Sequence, residues 1–155
     1  MGVLSSLLMV RLRLELEEEV RMQLLGLQSS WPEHKLVWSI NKQLGLHLTR
    51  QEDFEIELNQ GDTSNTLFES DSKYYYSVFY HEGEQEQAIL VANLNKGMAL
   101  YDRKRKLDFL LRIESNVRTL SECSQTLNQI RGVLAVTKID CSAEEPAARV
   151  FEDYL

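Results

Sequence analysis

The sequence predicts an α+β domain: a mainly antiparallel β-sheet of about seven to eight strands with two helices. Three observations carry this. Short apolar stretches of period two recur along the chain, two segments bear helix start and stop signals, and the connections between strands are short. With 155 residues, 43% of them hydrophobic and 26% charged, the chain fits one domain of ordinary globular balance.

Val10, Leu12, Leu14 and Leu16 alternate with Arg11, Arg13, Glu15 and Glu17, the pattern of a half-buried strand. The apolar stretch from Met22 to Leu27 follows an acidic turn and is expected to pair back on it as a hairpin. Ser30-Trp31-Pro32-Glu33 then announces a helix. Ser30 is placed to cap it, Glu33 to return the bond, and Pro32 sits where a missing N–H costs nothing. Leu36, Val37, Ile40 and Leu44 follow at helical spacing, and Gly45 is placed to end the helix as a left-handed cap. Trp38 stands off that line and is expected to bury against a strand edge or a partner.

Phe54, Ile56 and Leu58 alternate with Asp53, Glu55 and Glu57, giving a strand with an acidic outer face; Asn59 to Thr66 reads as a polar loop. Tyr74 to Tyr80 and Gln87 to Leu94 read as two strands joined across Glu82-Gly83-Glu84, the expected centre of the sheet. Asn95-Lys96-Gly97 makes a turn into Met98–Tyr101, and Phe109, Leu111 and Ile113 alternate in a further strand. Thr119 and Glu122 form a second capping box, ahead of an apolar stripe of Leu120, Cys123, Leu127 and Ile130. A last strand runs from Val133 to Ile139. The expected organisation is an N-terminal extension over residues 1–8, one domain over 9–140 and an acidic C-terminal tail over 141–155. Val150, Phe151, Tyr154 and Leu155 give that tail a means of docking on the body.

The formal net charge is −7, from 17 basic and 24 acidic residues, so the surface as a whole repels nucleic acid and anionic membranes. The charge is uneven. Residues 51–71 carry seven acids and no base, whereas residues 99–118 carry six bases against three acids. Cys123 and Cys141 are too few for a disulfide scaffold and too far apart for CxxC chemistry, so two free thiols in a reducing cytoplasm are expected, Cys123 buried and Cys141 more exposed. No apolar run approaches the ~20 residues of a membrane span, and the first ten residues lack the pattern of a signal peptide. Residues 1–6 match the pattern for myristoylation at Gly2, but so short a pattern arises often by chance; a start nearer Met9 is the expectation.

No catalytic residue, cofactor or metal site is assigned. Asp53, Glu55 and Glu57 lie along one strand face, where acids keep a sheet soluble, and a metal would need ligands converging from several elements. His34, His47 and His81 fall on different elements without ligand spacing. Cys123 falls in an apolar stripe and Cys141 adjoins no base, and there is no nucleophile elbow or phosphate-binding glycine loop. The candidate partner contacts are the run Arg103, Lys104, Arg105 and Lys106, together with Tyr75 and Phe79. These two, with His81, fall on one face of an aromatic strand and mark either a second layer or a partner surface. Lys73, Tyr75, Val78 and Tyr80 bear a thin likeness to an RNA-stacking strand, without its glycines and in the wrong order of elements.

Leu36 to Leu48, with Trp38-Ser39-Ile40-Asn41-Lys42 followed by Leu44-Gly45-Leu46, resembles the bacterial IPExxVDY family, as does the order of elements over about residues 9–140. Leu107-Asp108-Phe109 resembles the Val-Asp-Tyr half of the naming motif, while Ala99 to Lys106 has a basic run where the motif has Ile-Pro-Glu. The resemblance implies a cytoplasmic bacterial protein and a fold, and brings no activity with it.

The expected function is therefore a non-catalytic protein-interaction or adaptor domain, with a protein partner or a second copy as ligand and no membrane. The alternative is an RNA- or DNA-associated regulatory protein using the basic loop for phosphates and the tyrosines for stacking.

Overall fold

In a computed structural model the described residues are 22–57, 73–102 and 106–154, and among them are three helices and ten strands. In chain order these are β1 (Met22–Ser29), α1 (Glu33–Leu44), β2 (Thr49–Arg50), β3 (Phe54–Glu57), β4 (Lys73–Tyr76), β5 (Val78–Glu82), β6 (Glu86–Ala92), β7 (Leu94–Asn95), β8 (Met98–Ala99), β9 (Phe109–Ser115), α2 (Leu120–Asn128), β10 (Val133–Cys141) and α3 (Pro146–Glu152). Every strand pairing among them is antiparallel, so the α+β reading with a mainly antiparallel sheet holds.

Six strands form the main sheet in the order β10-β1-β9-β6-β5-β2; β3 pairs with β4 and β7 with β8 as separate ribbons. Strand β1 lies between the last strand and β9, with Leu25 opposite Leu111 on one side and Lys138 on the other. The expected hairpin partner, Val10 to Leu16, lies outside the described residues, as do residues 1–8 and the whole polar loop from Asn59 to Thr66. The β5–β6 hairpin forms as expected but sits to one side; the middle of the sheet is β9 against β6.

The inner strands are apolar on both faces. Leu25 and Leu27, Ala88 and Leu90, Phe109 and Leu111 face a core closed by α1 and α2. Leu24, Ile89, Val91 and Leu110 face a second core, closed by Ala147, Ala148, Val150 and Phe151 of α3, Ile56 and Tyr76 of the β3–β4 ribbon, and Leu100 and Leu107. The sheet is therefore the middle of three layers. At Gly26 the space is gone: a Cβ would lie 2.6 Å from both Ile139 Cδ1 and Leu107 Cδ1.

Several expectations need correction. Tyr74 to Tyr80 is two strands, interrupted at Ser77, whose carbonyl accepts from Ala92 N at 2.9 Å. Before that break the chain pairs with β3; after it, with β6 and β2. Ser30 does not cap α1, because its N–H and hydroxyl both turn to Gly132 O, at 2.9 and 3.4 Å; the cap position falls to Pro32. Thr119 does cap α2, its hydroxyl accepting from Glu122 N at 3.1 Å. Gly45 ends α1 in the left-handed region at φ 65°, and the β7–β8 turn uses the same freedom at Lys96 and Gly97, at 50° and 80°. The segment read as an acidic tail contains a helix whose apolar side is fully enclosed.

Candidate interaction surface

Helix α1 sets out the first part of the surface. Leu36, Val37, Ile40 and Leu44 take its inner side. At about 100° per residue, Trp38 falls roughly 200° round from Ile40 and points away from the core. It is 62% exposed, so the strand-edge half of the expectation fails. Lys42, one turn on, places its Nζ 5.0 Å over the Trp38 ring, and Lys35 places its Nζ 4.2 Å over Trp31. His34 is also exposed. The acid of the first turn, Glu33, is bound to Arg50 at 3.2 Å, and Arg50 also meets Asp53 and lies 5.4 Å over Phe79. The outer side of α1 thus presents an exposed indole under one lysine, with a second lysine near the start of the helix.

A second part is the connection from β8 to β9. Asn93 is buried at its base, with its Oδ1 accepting from Tyr101 N at 2.8 Å and its Nδ2 donating to Tyr101 O at 3.0 Å and Leu107 O at 2.9 Å. Gln28 Nε2 donates to Lys106 O at 2.8 Å. The two ends of the connection are therefore fastened to one amide and anchored by buried Leu100 and Leu107. Lys106 is exposed, whereas Arg103, Lys104 and Arg105 lie outside the described residues. The Leu107-Asp108-Phe109 stretch is structural: Leu107 and Phe109 enter opposite cores, while an Asp108 carboxylate oxygen accepts from Ser29 N at 2.8 Å. Asn41 acts alike in the other stretch that carries the resemblance, its Oδ1 accepting from Leu48 N at 2.8 Å to fix the run from α1 into β2.

Of the sequence-predicted site residues that are described, Tyr75 and Phe79 lie in different parts of the fold. Tyr75 lies on the outer side of the β3–β4 ribbon opposite Glu55 and is 46% exposed. Phe79 is only 8% exposed and belongs to the core under α1, because the break at Ser77 puts it in the main sheet. The basic stretch is also less free than its composition suggests. Arg112 pairs with Glu114, and Arg118 reaches both Glu86 and the carbonyl of Leu44 at 2.6 Å. Arg118 so holds the end of α1 to β6, with a cation at the negative end of the helix.

Among the titratable groups, burial raises the Cys123 thiol above its ordinary value, partly opposed by Arg118. Cys141 is buried as well, against expectation, because α3 covers it; the two cysteines lie in different cores on opposite faces of the sheet and form no disulfide. His81 Nδ1 accepts from His47 N at 3.0 Å, a backbone tie rather than a pairing of imidazoles. Among the described residues no three His, Cys, Asp or Glu side chains are grouped to hold a metal ion, and no helix is long and apolar enough to cross a membrane. Comparison with protein-family models, curated proteins and solved structures returns no match.

Proposed function

We propose that this chain is a non-catalytic protein-interaction domain of the bacterial cytoplasm whose partner seats on the outer side of α1 around Trp38. The observation that carries the reading is the exposure of Trp38 on a helix whose inner side is fully used. Tryptophan concentrates at the energetic centres of interfaces, and burying a large apolar side chain is worth about 1.5–3 kcal/mol. Relationship to the bacterial IPExxVDY proteins is part of the proposal, supported by the likeness of residues 36–48 and 107–109. Two cysteines outside any disulfide accord with a reducing compartment. The connection carrying Arg103 to Lys106, and Tyr75, serve as further contacts; Phe79 does not, since its ring is enclosed.

Gel filtration of the protein in lysate of its own cells, with and without nuclease, tests this. A large complex that survives nuclease and reverts to free size with Trp38→Ala is the expected result. Elution at free size in both runs sinks the proposal. Collapse only after nuclease replaces it with the nucleic-acid reading, in which the basic connection contacts phosphates.

A further inference from the structure

We infer that the segment received by α1 is acidic, with an apolar residue flanked by two carboxylates about 10 Å apart. The inference rests on the interaction reading and adds the chemistry of the partner. Lys35 and Lys42 stand before and after Trp38 in the chain, seven residues or roughly 10.5 Å apart along the helix, and each reaches back about one turn, Lys35 over Trp31 and Lys42 over Trp38. Both ammonium groups lie over indoles, that of Trp38 exposed and that of Trp31 half-buried, and the first-turn acid is occupied by Arg50. A partner that covers Trp38 must therefore also meet two cations.

The other occupants fit worse. A second copy packed helix to helix about a two-fold axis would set Lys35 against Lys42 in the antiparallel arrangement, or each lysine against its own copy in the parallel one. Like charges oppose in both. Seating the acidic outer side of the β3–β4 ribbon on α1 of another copy joins unlike surfaces, which propagates into open filaments unless the rotation closes. Single-stranded nucleic acid could stack on the indole, but two lysines neutralise about two phosphates, against a chain of net charge −7. A helix bearing Glu at positions i and i+7 with Leu between them matches both the lysine spacing and the indole.

The test uses the full chain carrying 5-fluorotryptophan, whose two ¹⁹F resonances are assigned with Trp38→Phe. The probes are an alanine-based helical peptide with Glu, Leu and Glu at that spacing, its Gln and Lys counterparts, and a dodecamer of deoxythymidylate. The expected result is a shift of the Trp38 resonance alone, with the Glu peptide binding about tenfold tighter than the Gln peptide and the Lys peptide weakest. Lys35→Glu with Lys42→Glu should reverse that order while leaving the melting temperature of the exposed-surface variant close to the parent. Equal binding of Glu and Gln peptides overturns the acidic partner and leaves the interaction surface standing. Stronger binding of the deoxythymidylate overturns both. Absence of any shift overturns the acidic segment, and the lysate experiment then judges the interaction reading by itself.

Discussion

The two faces of the six-stranded sheet reach the same dryness by different routes. On one face two helices, each with its own periodic stripe, bury Leu36, Ile40, Leu44, Cys123 and Leu127 against Leu25, Leu90 and Leu111. On the other, no single element suffices. The last helix supplies Val150 and Phe151, the β3–β4 ribbon supplies Ile56 and Tyr76, and the two ends of the β8–β9 connection supply Leu100 and Leu107. The first cover is local in sequence and carries its own signals. The second is assembled from pieces far apart in the chain, and each piece alone looks like a loop, an edge or a tail. If the assembled face is as much a part of the fold as the helical one, cutting into either should cost a similar amount.

The sharpest test is Phe151→Ala. Its ring is fully buried, and truncating a buried phenylalanine costs about 3–5 kcal/mol. Urea unfolding should show a loss of that size, comparable with Ile40→Ala on the helical face at about 2–5 kcal/mol. A loss under about 0.5 kcal/mol, the usual cost of a surface change, would return residues 141–155 to the status of a tail.

Asn93→Ala comes next. It strips partners from Tyr101 N, Tyr101 O and Leu107 O, and a buried polar group left unpaired costs about 1–3 kcal/mol. The additional expectation is local: amide hydrogen exchange should quicken at Leu100 to Leu107 well before it does in β6 and β9. Uniform quickening across the sheet would mean that the amide supports the core in general rather than fastening this connection.

Much of the helical face was legible because capping and periodicity are short-range effects, but even there one cap was misread. Ser30 and Thr119 begin the same motif, and only Thr119 uses it, since Ser30 is claimed by Gly132 immediately before the neighbouring strand β10. Thr119→Ala should cost about 1 kcal/mol and Ser30→Ala less than about 0.5 kcal/mol, read from paired urea midpoints. Equal losses would restore the cap at Ser30. The second face did leave a sign in the sequence: Ala88-Ile89-Leu90-Val91 and Phe109-Leu110-Leu111 are unbroken apolar runs, which a sheet covered on one side would not need. The nearly continuous aromatic and apolar character of Tyr74 to Tyr80 concealed the break at Ser77, because a strand that changes sheets can keep its side-chain period on both sides of the change. The exposure of Trp38 followed from helical geometry, but its freedom from a strand edge depended on where β2 and β3 run, and no local signal places them.

The smallest effect separates the faces by pH, because each has a buried acid of its own kind. Burial raises the Cys123 thiol under α2, with Arg118 opposing and Glu86 and Glu122 adding to the rise. Burial also raises the Tyr76 phenol on the other face, helped by Tyr74. In both cases the folded chain holds its proton more tightly than the unfolded chain. Stability from each is therefore complete below the unfolded value and declines as pH climbs from it toward the folded one. The unfolded thiol ionises near roughly pH 8.5 and the unfolded phenol near roughly pH 10. Urea stability measured up the alkaline range should begin to fall in the first window and steepen in the second. Cys123→Ala should flatten the first part and leave the second; Tyr76→Phe, which also gives up the hydrogen bond to Met98 O at 3.1 Å, should do the reverse. If neither variant alters its own window, the two side chains do not sit in dry interiors when the protein is in solution, and the three-layer arrangement fails with them.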